Sequence, residues 1–339
     1  MTIADRCTDA ADARIPQPSA VAPHGRARRG EFALELRLAH GGTAAIRLPY
    51  EIVGPEKAPV LLAAGGISAG RHVIASNGFP EAGWWQSQAG SFRLPDYRLL
   101  SIDWIGADGS VDRPLDPADQ AEAIARLLDF RGIPSIAGFI GASYGAMVGM
   151  HFAARYPGRC GALLAISASA SAHPFASACR ALQRQALTLG EAHGDANSGV
   201  ALARAMAILT YRTPLEFAER FPESPAILGG RLRVPAEDYL DFQGARHCQR
   251  MSSVAYRRLS ESIDLHRIDP AKIGVPLTLV AVDQDGLVPP DDIRSLADQV
   301  PGSGFHLIHS RYGHDAFLKE DAEVGAIINT FLDSLELSQ

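Results

Sequence analysis

The sequence predicts an α/β protein built on a mostly parallel, doubly wound sheet, and three observations carry that expectation. Continuous apolar runs at 58–64 (APVLLAA), 161–168 (GALLAISA) and 276–283 (PLTLVAVD) have no polar face, as strands buried on both sides require. Helical periodicity alternates with them, for instance over 119–130, where Ala121, Ile124, Leu127 and Leu128 share one stripe. Strands alternating with helices imply parallel pairing through right-handed crossovers. The third observation is a break in this rhythm. Residues 172–265 are Ala- and Arg-rich, read as helices with no clear strand, and are flanked by strands. They predict a helical lid inserted over the carboxyl ends of the strands.

The elements follow in order. Residues 1–30 lack periodicity and read as a flexible tail. EFALELRL at 31–38 alternates apolar and polar residues, and TAAIRLPYEIV at 43–53 reads as its hairpin partner. YRLLSID at 97–103 is a further buried strand, GFHLIHS at 304–310 is the last, and a closing helix spans 320–336. The core is therefore expected from 31–171 and 266–339, with the insertion at 172–265 between its two parts.

Composition narrows the function. Net charge is −6, and a nucleic-acid surface needs a basic excess. No apolar run reaches the roughly 18 residues of a membrane helix, and the first residues lack a basic-then-apolar leader. The four cysteines, Cys7, Cys160, Cys179 and Cys248, are scattered and read as reduced thiols of a cytoplasmic protein. No His/Cys cluster has metal-ligand spacing, so neither a metal nor a resident cofactor is expected.

The chemistry centres on SIAGFIGASYGAMVGMHFAARY at 135–156. A short apolar strand runs into Gly141-Ala142-Ser143-Tyr144-Gly145 and on into a helix. Strand, sharp turn and helix with Ser at the apex is a nucleophile elbow. The glycines on either side let strand and helix pass closely. The helix N-terminus and the Tyr144 amide are placed to stabilise an oxyanion. A Ser nucleophile needs a base, and the base an orienting acid. His314 follows the last strand behind a glycine and is the candidate base. Asp283 and Asp285, after the strand at 276–283, are both candidate acids. The second oxyanion amide is expected from the loop Gly66-Ile67-Ser68, with Ile67 as donor.

The combination G-x-S-x-G at Ser143, D-x-L-x-P-P at Asp285 and GHDAF at His314 resembles the homoserine O-acyltransferase family of the α/β-hydrolase superfamily. Gly83-Trp84-Trp85, YLDFQG at 239–244 and the segment from Ser253 into SIDLH agree with it, so the resemblance runs from about residue 44 to the C-terminus. It implies an α/β-hydrolase fold and selects Asp285 over Asp283. It implies that Arg204 and Tyr211, seven residues apart, hold the amino-acid substrate, with a guanidinium suited to an α-carboxylate. Asp315 resembles the family carboxylate that receives the substrate ammonium, and Ser68 a hydroxyl that contacts substrate or acyl group. An acyl-CoA co-substrate and a homodimer formed through the lid helices are further implications. Two loops depart from the family pattern: Gly65-Gly66-Ile67-Ser68-Ala69 and the short Asp103–Ser110 stretch.

The expected reaction is ping-pong transfer of an acetyl or succinyl group from acyl-CoA through a Ser143 acyl-enzyme to the homoserine hydroxyl, feeding methionine synthesis. A succinyl donor needs a further cation, for which Arg71, Arg113 and Arg212 are candidates. The rival expectations are a carboxylic-ester hydrolase on the same triad, an O-acyltransferase acting on serine or another hydroxylated metabolite, and a non-catalytic binding protein of the same fold.

Overall fold

The computed structural model describes residues 26–336. The first five strands are β1 (Ala27–Arg37), β2 (Thr43–Val53), β3 (Val60–Ala64), β4 (Arg98–Ile102) and β5 (Gly138–Ala142). The others are β6 (Leu163–Ile166), β7 (Ala226–Leu228), β8 (Arg231–Arg233), β9 (Leu277–Val282) and β10 (Gly304–Ile308). Eight of them form one sheet in the order β1-β2-β4-β3-β5-β6-β9-β10. From β4 to β10 every pairing is parallel, and β2 runs antiparallel to both β1 and β4. The fold is the expected doubly wound sheet with an antiparallel edge.

Neighbouring residues of one strand go to opposite cores, which is why the central strands read as unbroken apolar runs. Leu62, Leu100, Phe139 and Leu163 pack on one face. Leu61, Leu99, Ile140 and Leu164 pack on the other. The first core holds α1 (Pro117–Phe130), α2 (Tyr144–Arg155) and α8 (Pro290–Gln299). The second holds α9 (Asp321–Glu336), through Val324, Ile328 and Phe331, against Trp85 and Phe92. Helix α1 starts with reciprocal caps: Asp116 accepts from the Ala118 amide at 2.9 Å and Asp119 from the Asp116 amide at 2.8 Å.

Between β6 and β9 lie α3 (Pro174–Ala192), α4 (Ala196–Tyr211), α5 (Pro214–Arg220), α6 (Ala236–Cys248) and α7 (Ser253–Leu265). The two ends of this insertion pair with each other: Ser171 bridges Arg267, and the Ile268 amide donates to Ala170 O at 2.9 Å. Leu187, Val200, Ala203, Tyr256 and Leu259 from the insertion join the core cluster that contains Met147 and Met150 of α2. The insertion is thus seated on the helix that follows Ser143.

Two expectations are corrected. Strand β1 begins at Ala27, inside the stretch expected to be a flexible tail, whose residues before Arg26 lie outside the described residues. Cross-strand contacts outweigh the weak local pattern there. Arg29 pairs with Glu51 at 2.6 Å and lies 3.6 Å above the Phe79 ring, while Gly30 sits beneath the Tyr50 ring. The insertion also contains a hairpin, β7–β8, where no strand was expected. Its turn is Gly229-Gly230 with φ of 58° and 77°, the left-handed pair that a two-residue hairpin loop requires. That Gly-Gly between AIL and RLR was the available signal.

Candidate active site

The site is built at the carboxyl end of β5. Ser143 sits between β5 and α2 with φ 55° and ψ −120°, a conformation costing of order 1–3 kcal/mol for a residue with a side chain. Neighbouring bonds impose it. The Ser143 amide donates to Ile166 O at 2.8 Å, and the Gly145 amide donates to Gly65 O at 2.9 Å. A Cβ on Gly145 would lie 2.1 Å from Ala64 O, and one on Gly141 would lie 2.6 Å from Ala146 N. Only glycine permits this approach of strand and helix at either position.

His314 lies on a 3-10 turn, Gly313–Leu318, after β10. Its Nε2 is 2.8 Å from Ser143 Oγ and its Nδ1 is 2.6 Å from Asp285 Oδ2. The other oxygen, Asp285 Oδ1, accepts the Leu287 and Val288 amides at 2.9 and 3.0 Å. Asp285 is therefore held as an acceptor behind a donating Nδ1–H, and Nε2 is left to accept from the serine. Burial disfavours charge on the His314 imidazole. The adjacent Asp285 carboxylate, by charge and hydrogen bond, outweighs burial and raises its pKa above the ordinary value. Asp283 is engaged elsewhere, with His309 at 3.0 Å and the Ser310 amide at 3.0 Å.

The surrounding loops are tied to one another. Trp85 Nε1 donates to Phe317 O at 2.9 Å, anchoring the turn that carries His314. Trp84 Nε1 donates to Gly70 O and Trp104 Nε1 to Gly66 O, at 2.9 and 3.0 Å, fixing the Gly66-Ile67-Ser68 loop from two sides. Gly83 before the tryptophans meets the Val73 backbone, where a Cβ would lie 2.1 Å from it. The two loops that depart from the family pattern face each other here, and Asp103 also holds Arg71 at 2.6 Å. The Ile67 and Tyr144 amides make no hydrogen bond among the described residues beside Ser143. The Tyr144 side chain points away, buried, its hydroxyl 2.7 Å from Ser262 Oγ of α7.

A cavity of about 450 Å³ opens in front of Ser143 and His314. Ile67, Ser68, Arg204, Tyr211 and Asp315 all line it. Arg204 lies 5.1 Å above the Tyr211 ring. The Tyr211 hydroxyl is buried without a partner among the described residues, and burial raises its pKa. Burial also raises Asp315, against the downward pull of Arg212, His314 and Arg204. Of the three arginines considered for a succinyl carboxylate, Arg71 is taken by Asp103 and stands outside this cavity. Arg113 packs by Gly42, away from the cavity. Arg212 lines it, but two carboxylates already face it, Glu216 at 2.9 Å and Asp315 at 3.5 Å. The spacing argument missed Arg180, Gln183, His247, Tyr256 and Ser260, which the insertion contributes to the wall. The signal for the first two was a polar i, i+3 pair within an Ala-rich helix.

A serine, a histidine and an aspartate in hydrogen-bonded sequence on the carboxyl edge of such a sheet define an enzyme of the α/β-hydrolase class. Residues 71–321 match the alpha/beta hydrolase fold family. The chain is 50% identical to a homoserine O-succinyltransferase from Xanthomonas campestris pv. campestris, over 98% of this chain and 89% of that protein. It is 33% identical to a homoserine O-acetyltransferase from Thermus thermophilus, over 75% of this chain and 73% of that protein. A solved homoserine O-acetyltransferase from Bacillus anthracis superposes with a TM-score of 0.81 at 17% identity, covering 90% of this chain and 97% of that one. The chain belongs to the homoserine O-acyltransferase family of the α/β-hydrolase superfamily.

Proposed function

We propose that this homoserine O-acyltransferase takes its acyl group from succinyl-CoA and passes it to L-homoserine by a ping-pong route. The observation that carries the mechanism is the hydrogen-bonded line from Asp285 through His314 to Ser143, opening into a cavity that also presents Arg204 and Asp315. In the first half-reaction His314 Nε2 takes the Ser143 proton as Oγ bonds to the thioester carbonyl carbon. The Ile67 and Tyr144 amides receive the oxyanion. The C–S bond then breaks, and the thiolate leaves with the proton from His314. Homoserine enters with its α-carboxylate on Arg204, supported by Tyr211, its ammonium on Asp315, and Ser68 at the acyl side. His314 takes its hydroxyl proton, the new C–O bond forms, the Ser143 ester bond breaks, and Ser143 recovers the proton. Helices seated over the site exclude water, which favours transfer over hydrolysis.

Thiol release from succinyl-CoA and from acetyl-CoA, with and without L-homoserine or L-serine, tests this. Release that depends on homoserine and is faster with succinyl-CoA supports the proposal. A preference for acetyl-CoA or for serine corrects the donor or the acceptor. Thioester-independent cleavage of simple esters that ignores both would make the chain a hydrolase. Arg204→Leu is expected to raise KM for homoserine about 100-fold, because one charged bidentate contact is lost, while KM for the CoA ester stays within about threefold.

We also propose a homodimer through the lid helices. Phe175, Leu182 and Leu189 are exposed at seven-residue spacing on α3, and Leu202 and Leu209 (54% and 55% exposed) repeat it on α4. Such stripes on two packed helices suit a second copy presenting the same stripes. Leu202→Glu with Leu209→Glu is expected to shift the sedimenting species to monomer. An unchanged dimer would move the interface elsewhere, and a wild-type monomer would remove it.

A further inference from the structure

We propose that Arg180 and Gln183 on α3, with Ser260 on α7, form the subsite that reads the free carboxylate of the donor's acyl group. This rests on the transferase reading above and specifies its donor. Arg180 is buried and lines the same cavity as Ser143 and His314. Its Nε and one terminal nitrogen both lie 2.7 Å from Asp264 Oδ1. Arg184 pairs with the other oxygen of the same aspartate at 2.8 Å. Two guanidiniums thus share one carboxylate, so one positive charge is left over. The remaining terminal nitrogen of Arg180, Nη1, has no hydrogen bond among the described residues.

The neighbouring groups extend the pattern. Gln183 is buried with its Oε1 3.0 Å from the Tyr256 hydroxyl, whose single hydrogen is shared with Ala203 O at 3.1 Å, and in this orientation its NH2 group makes no hydrogen bond among the described residues. Ser260 Oγ accepts from Arg184 at 2.9 Å, so its own hydroxyl hydrogen is uncommitted. Arg180, Gln183 and Ser260, which carry a spare cationic, an amide and a hydroxyl donor, all line one cavity. These side chains are mostly buried and line the cavity, where a ligand acceptor can meet donors that the protein leaves open.

The charges separate this subsite from the amino-acid clamp. Homoserine is a zwitterion and needs a cation and a carboxylate together, as Arg204 and Asp315 supply. Beside Arg180 the carboxylate in contact, Asp264, is already shared by two arginines, and Gln183 and Ser260 add neutral donors. That suits a carboxylate carried without an ammonium, as in the monoacyl group of a dicarboxylic acid. Arg180, Ser143 and His314 line one cavity, which puts the subsite within the space that the reacting acyl group enters. An acetyl group would leave all three donors unmatched.

The test compares kcat/KM for succinyl-CoA and acetyl-CoA in the wild type, Arg180→Gln and Gln183→Leu, with homoserine and with hydroxylamine as acceptors. Arg180→Gln leaves Asp264 paired with Arg184, so no buried charge is stranded. The succinyl-to-acetyl ratio should fall about 30-fold in Arg180→Gln and about 5-fold in Gln183→Leu, the range of a charged and a neutral hydrogen bond. Because hydroxylamine bypasses the amino-acid clamp, the fall should persist with it. Equal losses for both donors, or a rise in KM for homoserine alone, would overturn the subsite and leave the transferase intact. If Arg180→Gln does not fold, an unchanged ratio in Gln183→Leu overturns it. Absence of release from either thioester in the wild type would overturn both readings.

Discussion

Ser143→Ala should release no thiol above background from either CoA ester, a loss of at least ~10⁴-fold in kcat, because the only group that forms the covalent bond is gone. The variant should keep its fold. The strain at φ 55° is imposed by the backbone bonds of Ser143 and Gly145, and alanine meets it as serine does. Mass spectrometry of the wild type mixed with succinyl-CoA, without homoserine, should show one added acyl group on the peptide spanning Ser143. The variant should show none. If the variant retained homoserine-dependent transfer, acylation would not pass through Ser143. Direct attack of homoserine on the thioester, with His314 as base, would then replace the two-step route.

Asp285→Asn should lower kcat by about 10⁴-fold while leaving KM for both substrates little changed. The amide can still accept the Leu287 and Val288 amides through one oxygen. Its NH2 group then confronts His314 Nδ1 and favours the tautomer with the proton on Nε2, which cannot accept from Ser143. The variant also changes the pH profile. The reaction needs neutral His314, so kcat/KM for the CoA ester falls as pH drops through the imidazole pKa. In the wild type that limb lies above the ordinary imidazole value, because Asp285 favours the charged ring. Without the carboxylate only the desolvating effect of burial and more distant charges remain, and the limb moves to lower pH. The same shift has a stability counterpart. Because the folded pKa is raised, the Asp285–His314 pair contributes stability that is fully present below the unfolded imidazole pKa. That contribution is lost as pH rises through the folded value. A pH profile of Asp285→Asn identical to the wild type would show that the limb belongs to another group.

Both expectations depend on a site whose parts were unequally visible in the chain. Ser143 was legible because its constraints are local. A residue at positive φ between a buried strand and a helix needs Gly141 and Gly145 beside it, and those are neighbours in sequence. His314 was nearly as legible, since a histidine after a glycine on the last strand's loop has few alternatives. The choice of Asp285 over Asp283 was different. Strand β9 places both near the same edge, and family resemblance rather than any local rule favoured one of them. In three dimensions Asp283 turns to His309 and Ser310, while the amides of Leu287 and Val288 aim Asp285 at His314.

By itself the sequence determined the eight strands of the main sheet in chain order, the sheet class, the elbow and the net acidic charge, because each rests on periodicity, turn chemistry or charge within a few residues. It left the Gly229-Gly230 hairpin and the early start of β1 unread, although local or cross-strand signals existed for both. Only the tertiary structure decided which cations line the cavity beside Ser143. Arg71, Arg113 and Arg212 were plausible by charge alone, yet Arg71 is drawn off by Asp103, Arg113 stands away from the cavity and Arg212 is matched by Glu216 and Asp315. Arg180 stood unnoticed on an Arg-rich helix. Arg184 stands one turn from it on the same helix, but only folding brings Asp264 of α7 against both, so that two cations share one carboxylate and a positive charge is left over. Spare charge is a property of the neighbourhood, and neighbours distant in sequence are set by packing.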